Sequence, residues 1–309
     1  MPLYLTEAEV AELLTPKDAV AAVEECFLRM ARGAVHNRPR YRLPLEDGRL
    51  AVMSASDLEL GYAAVKAYAA GARGVRFAVL LYDARDHDLA AVIEADTLGQ
   101  LRTGAASAVA AKHLVRSGAR SLGVIGCGHQ AETQVSCIRA ALPLLERVVA
   151  YCRTPERLTD FCKRMDAEPG HSHRDPGSQD VVVTITTSPD PVLRGEWLPN
   201  GALVCAAGAN NGRSRELDNV VLERASFICC DSKEQARLES ADLIEPIEGG
   251  VLDWLEVHEL QEVVAGESDG RQTDDDIVLF KSNGIAAWDV AVAAAALERA
   301  RAESAGREL

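Results

Sequence analysis

Between residues 119 and 131 the chain reads Ala-Arg-Ser-Leu-Gly-Val-Ile-Gly-Cys-Gly-His-Gln-Ala, and no other stretch constrains its fold so tightly. The apolar run Leu122 to Ile125 leads directly into Gly126-x-Gly128-x-x-Ala131. After it, Ala131, Val135, Ile138 and Leu142 recur at helical spacing. A strand, a glycine turn and a helix in this order form the arrangement that binds a dinucleotide pyrophosphate. Gly126 permits the turn, Gly128 lets phosphates approach the backbone, and Ala131 keeps the helix close to the sheet. The helix N-terminus offers its unpaired N–H groups to the anion.

The sequence beyond this turn repeats the theme. Apolar runs at 147–152, 180–186, 202–206, 227–230 and 278–280 are separated by helical stretches, which predicts a parallel sheet covered on both faces. Pro155 starts a helix to Met165, residues 168–178 read as a loop, Asp231-Ser232 as a cap, and a helix is expected from Leu252 or His258. From Arg38 the period changes from helix to strand, and residues 36–95 read as a sheet. A hairpin joins 41–45 to 49–54 across Glu46-Asp47-Gly48, and strands at 62–69, 75–82 and 89–94 complete a mostly antiparallel sheet. Thr6 with Glu9 forms a capping box, a second helix starts after Thr15-Pro16 and stops at Gly33, and Asp96 or Thr97 caps an alanine-rich helix to about Val115. The fold class is therefore α/β, with a Rossmann dinucleotide-binding domain at 118–285 and an α+β domain at 1–117. The alanine-rich helix 286–309 returns to the latter.

Charge narrows the partners. Among 309 residues, 47 acidic against 33 basic side chains give a net charge of -14 with no long Lys/Arg run, a surface that repels nucleic acid and anionic membranes. Eight cysteines without a Cys-x-x-Cys pair read as buried free thiols, which with the absence of a basic-then-apolar leader predicts a cytoplasmic protein. The seven histidines are scattered and His171-x-His173 lacks a third ligand, so no metal site is expected.

The second strand of a dinucleotide fold ends near the adenosine ribose. Here it ends in Tyr151-Cys152-Arg153-Thr154 with no carboxylate before Glu156, which favours NADP(H), with NAD(H) as the alternative. The expected cofactor-binding set is Thr103, Gly126, Gly128, His129, Gln130, Ala131, Arg153, Thr154, Thr186, Thr187, Ser188, Ala207 and Asn283. Three isolated cations, Arg40, Lys66 and Arg102, stand in apolar sequence in the first domain. Separately each snorkels to water; together they would clamp a substrate carboxylate. The residues alone leave both readings open.

Several strings in order resemble the ornithine cyclodeaminase/mu-crystallin family. They are Arg38-Pro39-Arg40, Val65-Lys66, Leu101-Arg102-Thr103-Gly104-Ala105, Gly126 to Ala131, Thr184 to Pro191, Arg215-Glu216-Leu217-Asp218 and Phe280-Lys281-Ser282-Asn283-Gly284. The resemblance implies a homodimer joined through the sheets of a substrate-binding first domain. It implies that Arg40, Lys66 and Arg102 hold the carboxylate of an amino or imino acid, and that Lys66 and Asp218 are catalytic, Asp218 matching the family's active-site aspartate. It also implies an NADPH-dependent reductase of a cyclic ketimine carboxylate such as pyrroline-2-carboxylate or piperideine-2-carboxylate. The alternatives are an ornithine cyclodeaminase recycling NAD, an alanine dehydrogenase-like enzyme, a hydroxyproline dehydratase, and a crystallin-like NADPH binder without turnover. Gly208-Ala209-Asn210 departs from the family's usual Gly-Ala-Asp.

Overall fold

The computed structural model describes residues 1–71 and 74–309. The chain begins with strand β1 (Leu3–Leu5), helices α1 (Glu7–Leu13) and α2 (Pro16–Ala31), and strands β2 (Val35–Leu45), β3 (Gly48–Asp57), β4 (Tyr62–Gly71), β5 (Gly74–Asp83) and β6 (Leu89–Glu94). Helix α3 (Asp96–Leu114) leads into β7 (Ser121–Ile125), α4 (Ala131–Ala141), β8 (Arg147–Tyr151), α5 (Pro155–Met165), β9 (Glu168–Pro169), α6 (Arg174–Gly177), β10 (Val181–Thr184) and β11 (Leu203–Ala206). There follow α7 (Asn219–Arg224), β12 (Ala225–Cys230), α8 (Lys233–Glu239), α9 (Ala241–Glu248), β13 (Val257–Glu259), α10 (Leu260–Val264), β14 (Ile277–Lys281), α11 (Ala286–Glu303) and β15 (Arg307–Glu308). Two compact units result: Met1–Arg102 with Ile285–Leu309, and Thr103–Gly284. The division falls inside α3, ahead of the 117/118 position suggested by the end of the alanine-rich run.

In the first unit the sheet order is β15-β1-β6-β5-β4-β3-β2. Strands β2 to β6 pair antiparallel, while β1 pairs parallel to β6. Thr6 and Thr15 each close a capping box on their helices. Helix α3 is capped differently from the local expectation. Its Asp96 and Thr97 N–H groups donate to the Glu7 carboxylate at 2.6 and 2.9 Å, so a residue 89 positions away supplies the negative charge a helix N-terminus favours. Helix α11 packs across β2 to β5 and against α2. Trp288 of α11 meets Phe27 of α2 edge to face at 5.5 Å, and both rings are fully buried.

The second unit is an eight-stranded sheet in the order β13-β12-β14-β11-β10-β7-β8-β9, and every recorded pairing in it is parallel. Val181, Val182, Val183, Leu203, Val204 and Cys205 are all fully buried, as central strands covered on both faces require. Strand order reverses between β7 and β10, the topological switch point where such sheets bind ligands. The polar segment expected as a loop carries β9 and the short α6. Backbone contact explains this: Gly123 of β7 has no room for a Cβ, which would stand 1.8 Å from the Pro176 carbonyl oxygen. The helix expected from Leu252 or His258 starts at Leu260. No helix among the described residues is long and apolar enough to cross a membrane.

Candidate functional site

The glycine turn lies at the switch point. Gly126 has φ 112°, and its N–H donates to the Tyr151 carbonyl at 2.9 Å, tying the turn to the end of β8. A Cβ on Gly126 would stand 2.5 Å from the Ile185 carbonyl oxygen, so only glycine fits. Gly128 is the opposite case: nothing lies within 4 Å of its Cβ position, which leaves the space a phosphate needs. Ala131 is fully buried at the start of α4. A cavity of about 270 Å³ opens beside the turn, lined by Gly126, Gly128, Arg153, Thr154 and the Thr186–Ser188 segment. Seven of the expected cofactor residues are thus brought together. Gln130 stands at the N-cap of α4 without a side-chain cap bond, and its buried amide oxygen has no partner among the described residues. These observations fit a dinucleotide held through its phosphates at the α4 N-terminus.

The remaining members of that set stand apart from the cavity lining. His129 is exposed in the turn. Thr103 is buried and its carbonyl accepts from Gln134 Nε2 at 3.4 Å. The Ala207 N–H is used by the Thr184 carbonyl at 2.9 Å. Asn283 is buried, and with Gly284 it donates its backbone N–H to Asp231 Oδ2, at 2.7 and 2.6 Å. Asp231 thereby fixes the turn after β14. Burial pushes its carboxyl up from the ordinary range, against the pull of those N–H groups.

A buried polar network that sequence reasoning missed braces the carboxyl edge of this sheet. Glu216 accepts from the Thr186 N–H and hydroxyl on Oε1, at 2.7 and 2.8 Å, and from the Gly208 and Ala209 N–H groups on Oε2, at 2.7 and 3.0 Å. Asp242 Oδ1 accepts from the Glu216 and Leu217 N–H groups at 2.8 and 3.0 Å. Its Oδ2 is 3.0 Å from Lys281 Nζ, which donates to the Ala209 carbonyl at 2.7 Å. Burial raises the Glu216 carboxyl, and Lys281 opposes the rise. Glu216 was legible as a member of the Arg215 to Asp218 string. Lys281 was legible as a charge ending an apolar strand.

Asp218, expected as the catalytic aspartate, also has a structural occupation. It is the N-cap of α7: Oδ1 accepts from Val221 N–H at 3.1 Å and from Gly195 N–H at 3.0 Å. Oδ1 is thus committed to two backbone donors, which holds the carboxylate in place at the head of α7.

In the first unit Arg40 and Lys66 stand at buried positions of β2 and β4, two of the strands that α11 packs against, and Arg102 comes from α3. Lys66 of β4 is opposite Met53 of β3, and Arg40 Nε of β2 is 3.3 Å from Met53 Sδ. Lys66 and Arg102 are joined through a residue not anticipated, Asp289 of α11. Its Oδ1 lies 2.7 Å from Lys66 Nζ and 3.2 Å from Arg102 Nε. Lys66 is 1% exposed, and burial lowers its pKa to about 8 despite the opposing Asp289 charge. Phe77 presents its ring 5.3 Å from Lys66 Nζ, and Trp288 lies 6.0 Å from the Arg102 guanidinium. Asp289 had a signal in the sequence, as the only charged residue from 286 to 297.

A glycine turn at the switch point of a doubly wound parallel sheet defines a dinucleotide-binding α/β protein. Residues 2–304 match the model of the ornithine cyclodeaminase/mu-crystallin family, and the chain belongs to that family. Alanine dehydrogenase of Archaeoglobus fulgidus is 33% identical over 99% of this chain and 98% of its own. Delta(1)-pyrroline-2-carboxylate reductase of Bacillus cereus is 33% identical over 77% of this chain and 75% of its own. Three solved structures share the fold. An archaeal alanine dehydrogenase dimer with bound NAD has TM-score 0.93 at 32% identity, covering 100% of this chain and 98% of its own. Thermococcus litoralis Delta(1)-pyrroline-2-carboxylate reductase with NADH and L-proline has TM-score 0.93 at 29%, covering 99% and 100%. Iminosuccinate reductase of Paracoccus denitrificans with NAD+ has TM-score 0.91 at 30%, covering 100% and 99%. The chain is an enzyme, an oxidoreductase of this family.

These structures overturn the expectation of NADP(H), since each was solved with NAD, NADH or NAD+. Arg153 does line the cavity. A guanidinium there can lie against the flat face of an adenine as well as pair with a phosphate, so its presence does not specify the 2′-phosphate.

Proposed function

We propose that this protein is an NAD(H)-dependent reductase of a small carboxylated imine, with Δ1-pyrroline-2-carboxylate as its first candidate substrate. The observation that carries this reading is the buried pair Lys66 and Arg102 gathered on a single carboxylate, Asp289, with the buried Arg40 acting on Lys66 as a third positive charge. Three cations against one anion leave a net positive site suited to a substrate carboxylate. In the second unit, Gly126, Gly128 and the α4 N-terminus would hold the pyrophosphate, and Thr186 to Ser188 would line the same cavity. When bound, NADH would supply the hydride that reduces the carbon of a protonated C=N bond, leaving an amine and NAD+. Lys66 and Arg102 fix the carboxylate attached to that carbon and so set its orientation. Asp218, which caps α7 through Oδ1, is the candidate to stabilise the iminium or manage the proton at the reacting nitrogen.

A second reading, reductive amination of a keto acid as in an alanine dehydrogenase, draws support from the match over 99% of this chain. Both are tested by one experiment: NADH oxidation with Δ1-pyrroline-2-carboxylate, with pyruvate plus ammonia, and with oxaloacetate plus ammonia. Turnover of the cyclic imine without ammonia supports the first reading. Turnover only of a keto acid with ammonia replaces it by the second. Ammonia release from ornithine without net NADH change defeats both.

We further propose a homodimer. The first unit's sheet exposes Tyr41, Leu43, Leu45 and Val75 at 55%, 49%, 46% and 45%, an apolar set that a second copy would cover. The archaeal alanine dehydrogenase is itself a dimer. Light scattering on the eluted protein should give twice the 33.1 kDa chain mass.

A further inference from the structure

We propose that Asp289 is a positioning residue that keeps Lys66 protonated and holds Arg102 beside it, making one ready anion site of two cations that would otherwise repel. The inference rests on the carboxylate-binding role given above to Lys66 and Arg102.

The geometry is specific. Asp289 sits in an apolar helix between Trp288 and Val290, is fully buried, and reaches both cations with the same oxygen. Its Oδ2 is buried and has no hydrogen-bond partner among the described residues. A buried carboxylate with one unsatisfied oxygen is costly, and an alanine-rich helix has no need of it for packing. The Lys66 ammonium is accommodated with little slack. A Cβ on Gly99 would lie 3.1 Å from Nζ, so the helix α3 leaves glycine where the ammonium passes. The charged groups acting on Lys66 are Asp289 from α11, Arg102 from α3 and Arg40 from β2. Two of these three favour the neutral amine, as does burial, and only Asp289 favours the ammonium. Arg102 and Lys66 in turn hold Asp289 ionised against its burial. The three groups therefore stand or fall together: the anion maintains the cations, and the cations maintain the anion.

The test is Asp289→Asn, which keeps shape and removes charge, with Asp289→Glu as the conservative variant. The side-chain nitrogen of Lys66, one of six lysines in the chain, is titrated by NMR in each variant, with Lys66→Met used to assign it. In Asp289→Asn the Lys66 ammonium is expected to lose its proton at least about one pH unit lower than in the wild type. KM for Δ1-pyrroline-2-carboxylate should rise about tenfold or more, while the Kd for NADH, bound in the other unit, changes less than about twofold. Asp289→Glu should restore the Lys66 titration to within about half a unit. An unchanged Lys66 titration in folded Asp289→Asn overturns the proposal. If Asp289→Asn does not fold, a Lys66 titration in Asp289→Glu displaced downward by a full unit overturns it equally. The titration needs no turnover. A wild type inactive on every imine would defeat the proposed function while leaving this test intact, and an active enzyme with an unmoved titration would defeat only the role of Asp289.

Discussion

Glu216 holds Thr186 twice, taking its backbone N–H and its hydroxyl on one carboxylate oxygen at 2.7 and 2.8 Å. The other oxygen holds Gly208 and Ala209. One buried side chain thus fastens the segments that follow β10 and β11, and the first of these lines the dinucleotide cavity. In Glu216→Gln one half of this clamp becomes an amide NH2 that faces N–H donors. Each buried donor left unmet costs about 1–3 kcal/mol. Thermal denaturation should show a lower Tm, and calorimetric titration a Kd for NADH raised about tenfold or more. Wild-type affinity would remove Glu216 from the support of the site.

Gly208 is the backbone half of the same arrangement. A Cβ there would stand 2.3 Å from the Thr186 nitrogen, 2.4 Å from its oxygen and 2.5 Å from Glu216 Oε1. Gly208→Ala must push apart two backbone segments that the clamp draws together. It should destabilise the chain by roughly 1–3 kcal/mol. NADH binding should weaken in parallel. A variant as stable as wild type would show that these segments yield freely.

Lys66 supplies a pH dependence. Its pKa is lowered from 10.5 to about 8 in the fold, and the clamp requires the ammonium. The kcat/KM for the imine should therefore be steady below about pH 8 and fall as pH rises through it. Unfolding does not account for such a fall. With a folded pKa below the unfolded one, the unfolded chain binds the extra proton between about 8 and 10.5, so this group makes folding more favourable as pH rises there. Loss of activity without loss of Tm is the expected signature. Lys66→Ala should raise KM and lower kcat/KM about 100-fold, about 2.7 kcal/mol. A near-wild-type value would exclude Lys66.

For Arg153, NADH is expected to bind more tightly than NADPH. Arg153→Ala should weaken NADH by no more than about threefold, about 0.7 kcal/mol, because it loses a stacking surface and no phosphate contact. Fluorescence titration of both cofactors on both proteins measures this. A wild-type preference for NADPH that vanished in the variant would reverse the assignment.

The sequence alone was enough for much of what depends on local period and turn chemistry. Residues 122–131 announced strand, turn and helix because the apolar run and the helical spacing are local patterns, and Gly126, at φ 112°, meets a backbone demand of the turn itself. Thr6 could be named as a cap because its partner lies three residues away. Strands β10 and β11 were legible as continuous β-branched or apolar runs, since both their faces are buried.

What the sequence could not show are pairings between groups far apart along the chain. Glu7 caps α3 from 89 residues away, Asp289 meets Lys66 across 223, and Lys281 reaches the Ala209 carbonyl across 72. A lone charge in an apolar run is visible in the sequence. Which opposite charge offsets its burial is set by the sheet register and helix packing. Asp218 shows the same limit from the other side: the string that suggested chemistry for it did not announce that its Oδ1 would cap α7 and accept from the Gly195 N–H. The period of the chain determined the two folds and the phosphate turn, because those obey interactions within a few residues. Tertiary structure decided which buried charges stand together, because only packing removes the water that would otherwise separate them.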